Sequence, residues 1–273
     1  NKIVALLQLA EVRLNDCHVR DLLAEESLQV SAETVRVVRR SLGIPPKRRR
    51  RPPRHHRRRE REAQRGAMVL IDGSPFHWFG PDQPQHTLVG TLDDASGDPL
   101  SLCFRPAEDL HGFVTVLGDL LTTHGVPCVL YGDRTGIAHR NDRYWSIEEE
   151  LAGRQQPTQF GQMLEELGIR YIAARSPEAK GRIERHWQTL QDRLTAEFAL
   201  HGIKTSEAAA PFLPRFLERY RGWFGHAPRD PAGAWQPAPK HLERILSCRY
   251  PRTVGRDNTV SIPGCRIQIP PGP

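Results

Sequence analysis

Two apolar runs in this chain end in aspartate: Met68-Val69-Leu70-Ile71-Asp72 and Cys128-Val129-Leu130-Tyr131-Gly132-Asp133. A third carboxylate, Glu184, lies in Ser176-Pro177-Glu178-Ala179-Lys180-Gly181-Arg182-Ile183-Glu184-Arg185, a segment that opens a helix and surrounds the glutamate with cations. Two aspartates at strand ends and a glutamate on a later helix can converge. Three carboxylates at short range repel one another unless a hard cation lies between them. The pattern predicts a divalent-metal site at Asp72, Asp133 and Glu184. The cations beside it predict a phosphate backbone as the group brought to that metal.

The elements that must position these residues follow from periodicity. Strands are expected at 68–72, 86–93 and 99–105, the last two joined by the turn Asp93-Asp94-Ala95-Ser96-Gly97-Asp98 as an antiparallel hairpin. An amphipathic helix follows near 108–124, with Leu110, Phe113, Val114, Leu117, Leu120 and Leu121 on one face. The nearly all-apolar run 126–131 reads as a buried strand beside the first. Residues 134–157 read as irregular and polar. A helix from Thr158, a short strand at 170–173 and the motif helix at 178–200 complete an order of β-β-β-α-β-α-β-α. That is the ribonuclease-H-like order, a mixed α/β sheet flanked by helices. With the first and fourth strands adjacent and parallel, Asp72 and Asp133 would share the sheet edge where open α/β folds carry their sites. On the motif helix Ile183, Trp187, Leu190 and Leu194 form the inward stripe. Glu184, about 100° around from Ile183, can lean over that edge.

Charge is distributed unevenly. Residues 1–67 carry a net +9 and the remainder a net −2, within an overall +7. Most of the excess lies in 45–65, which has four prolines and no hydrophobic period, so 45–67 reads as a solvated linker. It is either an entropic tether or a DNA-tracking arm; Arg48, Arg49, Arg50 and Arg51 favour the arm, because each phosphate-paired cation releases a counterion. Residues 1–44 hold three short apolar faces. Ser31-Ala32-Glu33-Thr34 looks like a helix start before Val35, Val37, Val38 and Leu42, with Gly43 as its stop. This suits a helix-turn-helix with 32–42 as recognition helix, presenting Arg36, Arg39 and Arg40 to DNA. The bland alternative is a small helical bundle with a charged outer face.

Composition narrows the classes further. The chain has 273 residues, 38% of them hydrophobic, enough for one core and one or two small modules. Five scattered cysteines suit a reducing, cytoplasmic compartment better than a disulfide framework. No apolar run approaches the length of a membrane span. No paired His and Cys spacing suggests a zinc module. The start at Asn1, without methionine, and the strand-like end at Pro273 read as a piece of a longer protein.

Taken together, the motifs resemble insertion-sequence transposases of the DDE superfamily, the retroviral-integrase-like group, and are similar in pattern to its ISNCY family. The matching residues are Asp72-Gly73-Ser74, Tyr131-Gly132-Asp133, Thr158-Gln159-Phe160-Gly161, Ala179-Lys180-Gly181-Arg182-Ile183-Glu184-Arg185 and Asp257-Asn258-Thr259-Val260. The third acidic motif is the specific one. Gly132 replaces a usual serine, Thr135 a frequent histidine, and Phe76-His77 stands where His-Asp is expected. The resemblance implies a core at 68–235 and a small β-barrel-like module, cut short, at 240–273. It implies two Mg²⁺ ions, replaceable by Mn²⁺, about 3.5–4 Å apart between Asp72, Asp133 and Glu184. It also implies that Lys180, Arg182 and Arg185 hold the DNA backbone. The activity implied is strand cleavage and transfer at element ends, by a homo-oligomer on DNA in a prokaryotic cytoplasm. A non-catalytic DNA-binding copy and a metal nuclease that only hydrolyses are the alternatives.

Other ionisable residues have plainer readings. Asp93, Asp94 and Asp98 serve the turn. Asp142 and Glu148, Glu149 and Glu150 are solvated. His77 is a near-site residue or a satisfied histidine at the core edge, and His186 flanks DNA or packs on its helix. Phe212, Leu213, Phe216, Tyr220, Trp223 and Phe224 form a core stripe or a partner-binding helix.

Overall fold

The computed structural model describes residues 2–9, 12–47, 60–140, 142, 144–174, 181–262 and 264–270. Arg48–Arg51 and residues 175–180, Lys180 among them, lie outside the described residues.

Three short helices open the chain: α1 (Lys2–Leu7), α2 (Asp16–Glu25) and α3 (Ala32–Ser41). Asn15 and Ser31 cap α2 and α3, accepting from the backbone N–H groups of His18 and Thr34. Val12, Leu14, Val19, Leu23 and Val35 form a small core with Ala196 of the motif helix.

The central sheet has five strands: β1 (Val69–Phe76), β2 (His86–Asp93), β3 (Pro99–Arg105), β4 (Val129–Gly132) and β5 (Arg170–Ala173). Their order is β3-β2-β1-β4-β5. The first three run antiparallel, and β4 and β5 join β1 in parallel. This is the ribonuclease-H-like arrangement. Helix α4 (Leu110–His124) packs on one face with α6 (Gln159–Glu166), around Val69, Ile71, Leu130, Phe113 and Phe160. Helix α7 (Gly181–Leu200) packs on the other with α9 (Leu213–Phe224), around Leu70, Leu88, Trp187, Leu190 and Phe216. The aromatic stripe of α9 is therefore core. The remaining helices are single turns or little more: α5 (Ile147–Ala152), α8 (Ser206–Ala209) and α10 (Leu242–Ile245). A hairpin of β6 (Thr259–Ile262) and β7 (Cys265–Gln268) stands apart from the sheet, and it is all of the expected C-terminal β module that the described residues form. No helix among the described residues is long and apolar enough to cross a membrane.

Four expectations need correction. Strand β1 does not end at Asp72; it continues to Phe76, because β2 pairs with it throughout, from Val69↔Asp93 to Phe76↔His86. The polar insertion contains α5, closed by a Ser146–Glu149 capping box, and Glu149 is buried against Arg140 rather than solvated. Residues 60–67 are not linker. They lie strapped along the core: the Gly66 N–H donates to Asp93, the Glu62 N–H to Asp94, and the Ala234 N–H to the Arg65 carbonyl. Asp93, Asp94 and Asp98 accordingly do more than shape a turn. They are buried anchors for that strap, Asp98 pairing with Arg65 and Arg221.

The helical module does not hang free either; it docks on α7 through buried polar groups. His18 Nε2 lies 2.7 Å from Glu197 Oε1, and Arg193 pairs with Asp21 at 2.7 Å. Arg219 bridges Glu197 and Glu25, while Lys47 and Asn15 both reach Asp192. Burial raises the pKa of Glu197, but hydrogen bonds from His18 and Arg219 outweigh it and hold the group at about 2. Burial pushes His18 below its ordinary value, partly offset by its bond to Glu197. Both groups bind protons more readily once the interface opens. Docking should therefore weaken as pH falls below about 6.5, and further below about 4.5. Amide exchange of α2, corrected for intrinsic rates, should be faster at pH 5 than at pH 7.5. Glu197→Gln should cost about 3 kcal/mol in chemical denaturation, because it strands buried cations.

Candidate active site

Register brings the two aspartates level. Leu70 pairs with Tyr131 across β1 and β4. Continued by two residues, the same parallel register sets Asp72 opposite Asp133, with strands about 4.8 Å apart. Side chains alternate along a strand, so Asp72 lies on the side of Leu70, and Asp133 on that of Tyr131. Leu70 and Tyr131 both pack in the cluster built on α7. Asp72 therefore lies on the sheet face that α7 covers, and the same alternation carried one residue past β4 sets Asp133 toward that face; both are half-buried.

Helix α7 meets Asp72 through Trp187, whose indole N–H donates to Asp72 Oδ2 at 3.1 Å. The indole has room because β2 carries Gly90 opposite Asp72; a Cβ there would stand 3.0 Å from the Trp187 ring. One turn before Trp187 on the same side of the helix is Glu184, exposed to solvent. Nearby, Gln191 donates to Ser74 Oγ at 3.2 Å. Trp187 reads in the sequence as a core residue. Its polar contact was not legible there, since an apolar stripe does not reveal where an indole N–H points.

Asp133 is held at its backbone and its side chain. The Tyr171 hydroxyl donates to the Asp133 carbonyl at 2.6 Å, and Asp133 Oδ1 accepts from the Thr135 N–H at 3.0 Å. Burial raises the Tyr171 pKa, and the charges of Asp133, Asp72 and Glu108 raise it further. Glu108 is a carboxylate that the motifs do not mark. It precedes the Asp109 cap of α4 and lies against Gly73. Three acidic groups thus direct their fields at one half-buried phenol. Among the described residues, however, no group of three His, Cys, Asp or Glu side chains stands close enough to hold a metal ion. The all-oxygen donors Asp72 and Asp133 suit a hard cation. Glu184 is carried on the helix facing them without being drawn in.

The predicted DNA contacts fall into two groups. Arg36 and Arg40 face outward on α3, Arg36 paired with Glu33 at 3.0 Å. Arg39 is a correction: it is buried, with its guanidinium fork on Asp16 at 2.7 Å and on the Ile44 carbonyl at 2.7 Å, so it braces the module. Arg185 is exposed and donates to the Gly181 carbonyl at 2.9 Å. Arg182 forms an ion pair with the buried Asp94. His77 is exposed, with Nδ1 2.9 Å from the Gln83 carbonyl. His186 is buried against Tyr220, and burial lowers its pKa to about 3, so it is a neutral packing residue.

Gly132 occupies a position where the pattern usually has serine. A Cβ there would stand 2.4 Å from the Tyr171 hydroxyl oxygen. Gly132→Ala should cost about 1–3 kcal/mol. Adding Tyr171→Phe should recover most of that loss, since the clashing oxygen is then gone. Chemical denaturation of the two single variants and the double variant checks both.

No family profile matches the chain. It is 36% identical over 251 residues to "Putative transposase y4bF" of Sinorhizobium fredii, covering 90% of this chain and 53% of that protein. It is 34% identical over 187 residues to the transposase for insertion sequence IS1202 of Streptococcus pneumoniae, covering 68% of this chain and 38% of that protein. The chain thus spans about half the length, or less, of these relatives. Among solved structures, the intasome of simian T-cell lymphotropic virus, determined in complex with a PP2A regulatory subunit, aligns at 17% identity. Its TM-score is 0.45, over 81% of this chain and 73% of that one, a likeness too loose to carry an argument. By sequence, over nine-tenths of its length, the chain is a relative of the transposases.

Proposed function

We propose that this chain is the DNA-binding and catalytic part of an insertion-sequence transposase, a polynucleotidyl transferase that cuts DNA at element ends and joins them to a target. The reading is supported by the parallel register Leu70↔Tyr131, which carried two residues on brings Asp72 level with Asp133, and by the Trp187 bond that joins Asp72 to the helix bearing Glu184. In this reading Asp72, Asp133 and Glu184 would hold two Mg²⁺ ions, or Mn²⁺ in their place, once Glu184 is drawn toward the two aspartates. When bound, the ions stabilise negative charge on the attacking and leaving oxygens of an in-line displacement at phosphorus. A bond forms from a water or 3′-hydroxyl oxygen to phosphorus, and the bond to the departing 3′ oxygen breaks.

The protein's own groups orient and hold. Trp187 fixes the rotamer of Asp72, while Tyr171 and Thr135 fix Asp133. The carboxylates act as metal ligands rather than proton-transfer groups. Lys180, Arg182 and Arg185 position the backbone of the cut strand. Arg36 and Arg40, with Arg48, Arg49, Arg50 and Arg51 of the arm, supply affinity away from the cut. Joining two ends requires two sites, so the working form is a homo-oligomer on DNA.

Asp72→Asn, Asp133→Asn and Glu184→Gln should each abolish Mg²⁺-dependent cleavage of DNA ending in the element's terminal repeats, with DNA affinity retained. Cleavage at the unaltered rate by any one of them would remove that residue from the site. Replacing Arg48, Arg49, Arg50 and Arg51 with alanine should lower the slope of log affinity against log salt by about 3 to 4. An unchanged slope would reduce the arm to a tether. Binding without cleavage by the unaltered chain, under conditions where its longer relatives cut, would favour a non-catalytic role.

A further inference from the structure

Glu184 sits in the first turn of α7, where helices fray most readily. Its depth is set on one side by Ile183 and Trp187, both buried in the core beneath the sheet. Its rotation about the helix axis needs a second hold. Arg182, two residues earlier and about 200° around the helix, supplies one by pairing with Asp94. The hold is firm because Asp94 is itself immobilised. It is fully buried in the β2–β3 turn. Its backbone N–H donates to the Met68 carbonyl at 3.1 Å, at the entrance to β1. Its Oδ2 accepts from the Glu62 N–H at 2.8 Å, and its carbonyl accepts from Arg61 at 3.0 Å. One residue thus ties three elements: its backbone N–H holds the base of the Asp72 strand, and its carboxylate holds the strap at Glu62 and the first turn of the Glu184 helix.

We propose that Asp94 is a positioning residue of the active site, holding α7 through Arg182 so that Glu184 is presented to Asp72 and Asp133. This rests on the reading of Glu184 given above. Asp94 is fully buried, and it acts by restricting where the third carboxylate can be. A turn aspartate needs only a local backbone partner, such as the Ser96 N–H that Asp93 Oδ1 accepts from; Asp93 Oδ2 reaches the strap at the Gly66 N–H, whereas Asp94 reaches α7. The reach of Asp94 across to α7 is what a turn does not require.

The test uses the full chain, Mn²⁺ binding followed by electron paramagnetic resonance, and amide exchange at residues 183–187. Asp94→Asn keeps the size of the side chain and removes the charge that holds Arg182. It should weaken Mn²⁺ binding about tenfold, as loss of a group supporting a metal ligand commonly does. It should also speed exchange at 183–187 while β2 and β3 keep their protection. Arg182→Gln should reproduce both effects, and the double variant should be no worse than the weaker single, because both remove one link. Glu184→Gln is the reference, scored for Mn²⁺ binding and for Mn²⁺-dependent nicking of supercoiled plasmid. If it loses both while Asp94→Asn matches the unaltered chain in both readouts, the proposal falls alone. If Glu184→Gln binds and nicks normally, the reading of Glu184 falls and takes the proposal with it. Faster exchange throughout the sheet in Asp94→Asn would mark Asp94 as a general stabiliser and overturn the positioning role. Should Asp94→Asn fail to fold, Arg182→Gln carries the test by the same readouts.

Discussion

Burying a carboxylate costs several kcal/mol unless cations or N–H groups meet it in good geometry. This chain buries them at the junctions between its parts. Glu197 on α7 is met by His18 from the helical module and by Arg219 from α9. Asp93 and Asp94 are met by the strap at 62–66, and Asp94 also by Arg182. Glu149 is met by Arg140 and by the Gln156 N–H, which close the insertion after β4. Each of these contacts is satisfied only when a segment from elsewhere in the chain is in place. The sheet supplies the hydrophobic core, and the buried acids specify what is attached to it and at what angle.

Helix α7 concentrates these demands. Its inward stripe packs beneath β1 and β2, and Trp187 turns one edge of that packing into a hydrogen bond to Asp72. Its second half receives the helical module through Glu197, Arg193 and Asp192. Its first turn carries Glu184. A single rigid rod therefore relates the module that would grip DNA to the carboxylate that would act on it. Glu197 lies thirteen residues beyond Glu184, which at the rise of an α-helix is about 20 Å.

How much of this was legible in the sequence depended on the kind of interaction. Periodic burial was legible: β2, β3, β5 and α3 lie where alternation and caps put them, because burial of one face dictates the pattern. Asp72 and Asp133 stood out because each closes an apolar run. The length of β1 was not, since Gly73, Ser74 and Pro75 look like a turn and become strand only through pairing with β2. Arg39 could not be told from Arg36 and Arg40, because its partner Asp16 lies on another helix. The strap at 60–67 looked like linker for the same reason. Its partners, Asp93, Asp94 and Asp230, are remote in sequence, and no local pattern announces a polar contact across such separations.

The docking of the helical module has a practical consequence for dissecting the protein. A truncation at residue 66 would remove His18 from Glu197, Lys47 and Asn15 from Asp192 and Asp21 from Arg193, and would uncover Ala196, now buried with Val12, Leu14, Val19, Leu23 and Val35. It would also strip Asp93 and Asp94 of the N–H groups that the strap donates. What remained would carry unpaired charge along the very helix that bears Glu184. Loss of activity in such a fragment would then report damage to the catalytic half as much as absence of the DNA-reading half. Surface charge reversal on intact protein separates the two; excision does not.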